Sequence, residues 1–323
     1  MIGSGNNKDY ISALTKLGLA LDLAAQNPAI TTDANAFAPV SAEVSNSDAA
    51  VAQTAQTFSV DQQAHTEKTF IALLKAPVDC VARMAPSPGA AANGGGATLC
   101  RGINPLLSKY PFAPHSSVPA SVPEVNAVFA PDTGLLWSTY NAGLNKVIVP
   151  AGAGYMQAPT APGPVNPRFL AYFNRAAHIS STLYPANAKS PSLTFNVRFI
   201  PGNGVKSATL IIDGQRMPPG STSQQFTWNA AGAHEASLAY DGQEIQPYQG
   251  TWALFQLLQH AEISRSAPGT YTVGFPIHGA TTVAGRESTA SASKAVFELS
   301  GPGADVLVGD GLMGLSCAAP VIK

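Results

Sequence analysis

The sequence predicts an α+β fold, with an N-terminal helical domain followed by a C-terminal antiparallel β-sandwich that carries a helical insert. Three observations lead there. Apolar residues recur at helical spacing through the first 150 residues, the period drops to two from Ser192, and Asp-Gly dipeptides follow two short apolar runs in the second half.

Residues 1–150 read as helices. Tyr10, Leu14, Leu17 and Leu21 step by four, three and four, which lines one face of a helix from Asp9 to Ala25. A second helix is expected from Ser47 to Phe58, with Val51, Ala55 and Phe58 inward. A third, Gln62 to Met84, should be kinked by Pro77, which removes a backbone donor. Ala85–Gly96 is rich in Pro and Gly and reads as a loop, so the helical segments on either side of it should form an antiparallel hairpin, the second resuming at Leu99, Ile103 and Leu106. Ser121 and Glu124 have capping-box spacing at the head of a stretch that runs through Phe129 and Leu135 to Leu144, with Gly134 the point where it can break.

Residues 151–165, with three prolines and three glycines, read as a linker. A connecting helix is expected over 166–189: Asn166 supplies an N-cap, Pro167 the first helical position, and Phe169, Phe173 and Ala177 one stripe, with a stop by Pro185. Residues 190–300 form the sandwich. Leu193, Phe195, Val197 and Phe199 alternate with polar residues, and Ala208–Ile212, Gln225–Trp228, Ala236–Tyr240, Tyr271–Phe275 and Ala295–Leu299 are further strands. Asp213-Gly214 and Asp241-Gly242 suit tight hairpin turns because Gly accepts positive φ. A helical insert is expected at Trp252–Ile263, and residues 301–323 read as a flexible, Gly-rich tail.

Composition limits the functions available. Charged residues are 11% of the chain, against about 25% in an average soluble protein, and the net charge is -1. No electrostatic footprint for nucleic acid or anionic lipid exists, and no apolar run reaches the roughly 18–20 residues of a membrane span. The opening residues lack the apolar core of a secretory leader, and a segment of a longer protein is expected. The histidines at 65, 115, 178, 234, 260 and 278 are scattered, and none belongs to a metal-ligand pair. There is no nucleophile elbow, and Ser288–Ser293 has no adjacent base. Gly202–Ser207 lacks the spacing of a phosphate loop and lies between strands. Asp213 and Asp241 are turn residues first, and Asp305 and Asp310 lack the dense acids of a calcium loop. Trp137, Trp228 and Trp252 lie on apolar stripes and read as core. The expectation is a chain with no catalytic, cofactor-binding or metal-binding residues.

Four pieces, in order, resemble the periplasmic C-terminal region of the IcmF/TssM family, the large inner-membrane subunit of the type VI secretion system. Cys100 and Lys109-Tyr110-Pro111-Phe112 resemble the family's cysteine and R-Y-P-F motif, with Lys109 for Arg. Val128–Trp137 resembles a segment built on F-F-x-P-G-G, with departures at Val128 and Asp132. The helix Phe169–Leu183 and strand Leu193–Phe199 lead to Leu210–Gln215, similar to the family's strand ending in D-G-Q. Gly250–Leu258 is similar to G-x-W-A-L-F-R-L-L, with Gln256 for Arg. Cys317 stands where the family has a terminal C-P dipeptide, here separated by Ala318 and Ala319.

The resemblance implies a structural periplasmic segment that links an inner-membrane anchor to an outer-membrane lipoprotein (TssJ-like) by protein contacts. It implies further contacts with other inner-membrane subunits and self-association through the parent protein, with no nucleic acid partner and no membrane insertion by this segment. Two other readings stay open: a carbohydrate-binding sandwich, which needs Trp228, Trp252 and Tyr248 exposed together, and a cell-envelope hydrolase, which needs titratable groups in a cleft at the junction. In the oxidising periplasm the expected hairpin would set Cys80 and Cys100 at one level on neighbouring helices, a candidate disulfide that leaves Cys317 free. Of the three cysteines, Cys100 and Cys317 match family positions and Cys80 does not.

Overall fold

The computed structural model describes residues 8–27, 30, 34–56, isolated positions between 68 and 83, and 87–323 except 203, 219–220, 233, 278–292 and 310. Helices α1 (Lys8–Gln26) and α2 (Ala34–Gln56) pair over a small core of Ala24, Ile30, Val40 and Val81. Leu17 of the predicted stripe is buried, and α2 begins well before the expected Ser47. The expected inward side chains Val51, Ala55 and Phe58, and most of the helix expected over 62–84, lie outside the described residues.

Helix α3 (Pro88–Leu107) corrects the expected loop at 85–96 from Pro88 onward, because it runs straight through the glycines. Ser87 caps it, its Oγ accepting from the Ala90 amide at 3.2 Å, and Pro88 opens the first turn. Ala92, Gly96, Leu99, Ile103 and Leu106 are buried at four-three-four-three spacing. Gly96 is required by close approach: a Cβ there would lie 2.3 Å from Val321 Cγ2. Composition reads such glycines as a loop, yet here they let a distant segment lie against the helix.

Helix α4 (Val122–Phe129) has the predicted capping box, with Glu124 Oε2 accepting from the Ser121 amide at 2.9 Å and Ser121 Oγ from the Glu124 amide. The helix stops before Pro131, and α5 (Leu135–Ala142) starts anew after Gly134. A Cβ on Gly134 would sit 2.6 Å from both the Val128 and Ala130 carbonyl oxygens, so this corner admits no larger residue.

Part of the stretch expected as a linker is structured. Strands β1 (Ile148–Ala151) and β2 (Gly154–Gln157) form an antiparallel hairpin. Its Tyr155 amide donates to Asn174 Oδ1 at 2.5 Å, while Asn174 Nδ2 donates to the Tyr155 carbonyl at 3.0 Å. Asn174 belongs to α6 (Pro167–Leu183), capped by Asn166 as predicted and buried along Phe169, Phe173, Ala176, Ile179 and Leu183.

The sandwich follows. One antiparallel sheet has the order β10-β11-β12-β3-β6, from Glu262–Ala267, Thr270–Ile277, Ser293–Ser300, Ser192–Ile200 and Ser223–Asn229. The other has β5 (Gln215–Arg216), β4 (Ala208–Ile212), β7 (Glu235–Tyr240) and β8 (Gln243–Glu244), with β9 (Tyr248–Gln249) also on β7. Register sets Leu193 against Trp228 and Phe195 against Phe226, so the alternating apolar residues face inward together. Both Asp-Gly pairs take positive φ at both positions, Asp213 50° and Gly214 77°, Asp241 44° and Gly242 81°. The insert α7 (Ala253–Gln259) is shorter than expected, because Glu262–Ala267 leaves it to become β10.

The terminal segment is not a flexible tail. Helix α8 (Pro302–Val308) packs on the sandwich, with Gly303 against the Thr194 backbone, and the chain then returns to α3 and α6. One continuous core runs from Ala92 to Ile322 and includes both the helices and the sandwich. Gly134→Ala tests this packing: it should cost about 1–3 kcal/mol, read as a lower urea midpoint, and an unchanged midpoint would contradict the tight corner between α4 and α5.

Candidate functional site

The first two motif pieces pack within the helical layer. Phe112 stacks on Phe129 with ring centroids 5.9 Å apart, and both rings are buried. Lys109 pairs with Glu124, so the lysine that replaces an arginine in the first motif still makes an ion pair. That bond and the two from Ser121 hold the Glu124 carboxyl down to about 2, although the pair is partly exposed and contributes geometry more than stability. In the second motif, Trp137 Nε1 donates to Ser180 Oγ at 2.8 Å, and that hydroxyl donates to the Phe129 carbonyl at 2.6 Å. A buried serine thus ties α5 to the ends of α4 and α6. Tyr184 adds a bond to Asn126 Oδ1 at 2.6 Å, and burial pushes its phenol up, keeping it neutral.

The remaining motifs tie the sandwich to itself and to the helices. Trp252 is 2% exposed and donates through Nε1 to the Ala120 carbonyl at 2.7 Å, which spans from insert to helical layer. Trp228, also buried, stacks on Trp252 at 5.3 Å and donates to the Thr251 carbonyl at 3.1 Å. Gln215, the last residue of the D-G-Q piece, reaches between sheets: its Nε2 donates to the Thr227 carbonyl at 2.6 Å while its Oε1 accepts the Thr227 amide at 3.0 Å. Asp213 accepts from the Glu235 amide and Asp241 from the Lys206 and Ser207 amides, so both act as turn braces. Asp305 accepts from Tyr271 at 2.6 Å. Among the described residues, no three His, Cys, Asp or Glu side chains converge on a metal position.

Burial of Trp228 and Trp252 removes the exposed aromatic platform that a carbohydrate-binding sandwich needs. The cleft at the junction holds His115 and His260 among apolar residues, with no acid in its described lining, and His260 stacks on Tyr248. No described helix is long and apolar enough to cross a membrane.

The cysteine expectation is corrected. Cys100 on α3 is bonded to Cys317, with Cα atoms 5.3 Å apart across 217 residues of sequence. Cys80 lies outside the described residues. The expected Cys80 and Cys100 pair placed Cys100 about one turn after a loop at 85–96, but α3 occupies that stretch from Pro88 onward, and Cys317, the partner of Cys100, is not free. Around the disulfide, Asn93 Oδ1 accepts the Ile322 amide at 2.7 Å, and Asn166 Nδ2 donates to the Pro320 carbonyl at 2.9 Å. Arg175 donates to the carbonyls of Gly311, Met313 and Gly314. Arg175, Asn93 and Asn166 showed no functional pattern in sequence, because their partners are backbone groups over 130 residues away.

Residues 195–285 match the family model of the type VI secretion protein IcmF C2-like domain. The fold is similar to the C-terminal domain of the T6SS protein TssM from EAEC (TM-score 0.56, 21% identity, 73% of this chain and 100% of that one). It is also similar to a chain of a type VI secretion system membrane core complex (TM-score 0.51, 20% identity, 83% of this chain and 56% of that one). A type VI membrane complex gives TM-score 0.54 at 20% identity, over 87% of this chain and 54% of that one. The chain thus spans a little over half the length of the two complex subunits. No curated protein matches the sequence.

Peptide mapping after alkylation without reductant should recover one linked pair carrying Cys100 and Cys317. A linked pair carrying Cys80 and Cys100 would contradict the structure.

Proposed function

We propose that this chain, a TssM/IcmF C-terminal region by its fold and by the IcmF C2-like domain at residues 195–285, is a structural segment of a type VI secretion membrane complex. It stands in the periplasm and links an inner-membrane-anchored parent to an outer-membrane lipoprotein, without catalysing a reaction. The observation that carries this reading is the coincidence of the C2-like match with the sandwich. Residues 195–285 take in every strand of both sheets except β12 and the first three residues of β3, together with the insert that joins them to the helices.

Two physical features support the reading. The Cys100–Cys317 disulfide suits an oxidising compartment such as the periplasm. The motif residues spend their hydrogen bonds inside the chain, which makes a stiff body whose contacts with partners depend on shape and apolar anchors. The other inner-membrane subunits and further copies of the parent would then be neighbours in the assembled complex.

Calorimetry of the intact chain with its cognate lipoprotein tests the linkage. Saturable binding at one site is expected, weakened when exposed sandwich residues are changed and unaffected by changes on the exposed face of α1 such as Leu19→Glu. No heat of binding, or binding abolished by the α1 change with the sandwich changes silent, would refute it.

A further inference from the structure

The two sheets end in edges that the chain protects unequally. In one sheet the edge strands β5, β8 and β9 are two residues each, too short to template another chain. In the other sheet, β6 has its outer backbone occupied at Thr227, where the Gln215 amide bonds both the N–H and the carbonyl as a strand would. β10 differs from all of these. Its six residues are all exposed, and no hydrogen bond from another described residue reaches its outer backbone.

The side chains of β10 are set for a neighbour. Glu262 is already neutralised: Lys294 of β12 lies over Gly274, which has no side chain to block it, and its Nζ meets Glu262 Oε2 at 2.6 Å. Ile263 sits opposite the fully buried Val273, so it belongs to the inner face, yet it remains 40% exposed. Beside it opens a cleft of about 570 Å³ lined by Leu258, Leu307, Leu312 and Met313. Arg265, two residues on and on the same face, has no acid paired with it among the described residues. A bulge between Arg265 and Ala267 ends the regular edge.

We propose that β10 is a strand-addition site for an extended segment of a partner protein. The segment pairs along Glu262–Arg265, closes the cleft with an apolar side chain opposite Ile263 and presents an acid opposite Arg265. A second copy of this chain fits less well. In an antiparallel pair with matched faces, Arg265 would meet Ala261, Ile263 or Arg265 of the other copy, never Glu262, which lies on the opposite face. The inference goes beyond the lipoprotein linkage, because it holds whichever protein supplies the strand.

The test places a benzophenone photocrosslinker at Glu262 or at Ser264 of the full-length protein in cells that assemble its complex, and maps the adducts by mass spectrometry. Adducts from the two positions should fall in one segment of a different protein, on residues two apart. Ile263→Lys, an inward charge at the edge, should cut the adduct yield at least tenfold, and Arg265→Glu should cut it several-fold. Circular dichroism melting of each variant shows whether the fold is kept, and Arg265→Glu changes an exposed residue that the fold does not use. Absence of adducts, adducts confined to a second copy of the chain, or yields unchanged in Arg265→Glu would overturn the proposal. A failed calorimetric titration with the lipoprotein would leave this result untouched.

Discussion

The return of the C-terminal segment onto α3 is the constraint on which the rest of the structure depends. Chain topology alone would leave a helical layer and a sandwich joined at α6. Instead, the last residues leave the sandwich through α8 and close on the helix near which the described core begins, with Val321 against Gly96 and Cys317 bonded to Cys100. In the chain-entropy model, cross-linking positions 217 residues apart removes roughly 5 kcal/mol of unfolded-state freedom. The backbone bonds from Asn93, Asn166 and Arg175 then fix the path of the strap between its ends. The single core from Ala92 to Ile322 is the result.

This arrangement explains what the motif residues do. Trp252 reaching Ala120 and Trp137 reaching Ser180 each bridge two elements distant in sequence, and Gln215 reaching Thr227 joins the two sheets. The two tryptophan bonds satisfy buried or half-buried polar groups, and losing one partner would leave the other unpaired at a cost of about 1–3 kcal/mol. Such residues are joints and not reactive groups. A body fastened in this way is stiff. The surfaces these joints leave free include the β10 edge.

Local chemistry made much of the fold legible in the sequence. The capping box of Ser121 and Glu124, the Asn166-Pro167 helix start, the alternation of Leu193–Phe199 and the two Asp-Gly turns each depend on neighbours a few residues away, and each formed as expected. The misreadings at Gly96 and Cys317 share one cause, a partner far away in sequence. Gly96 reads as loop until Val321 explains why no side chain fits. β10 lacks alternation because an edge strand is covered on one side at most, and its residues E-I-S-R-S-A are all exposed. Cys317 could not be paired from spacing, since the fold alone brings it within 5.3 Å of Cys100 at the Cα atoms. The candidate surface was the least legible part, because openness at an edge depends on what the chain fails to cover there.

Native-state hydrogen exchange tests the central claim most directly. If the strap makes helices and sandwich one unit, the slowest amides of α3 and of strands β3, β11 and β12 should exchange with the same opening free energy. Reduction of the disulfide should lower that value in all four elements together. Exchange of α3 at a clearly lower free energy than the strands, with the strands insensitive to reduction, would contradict the account and describe two separately stable domains.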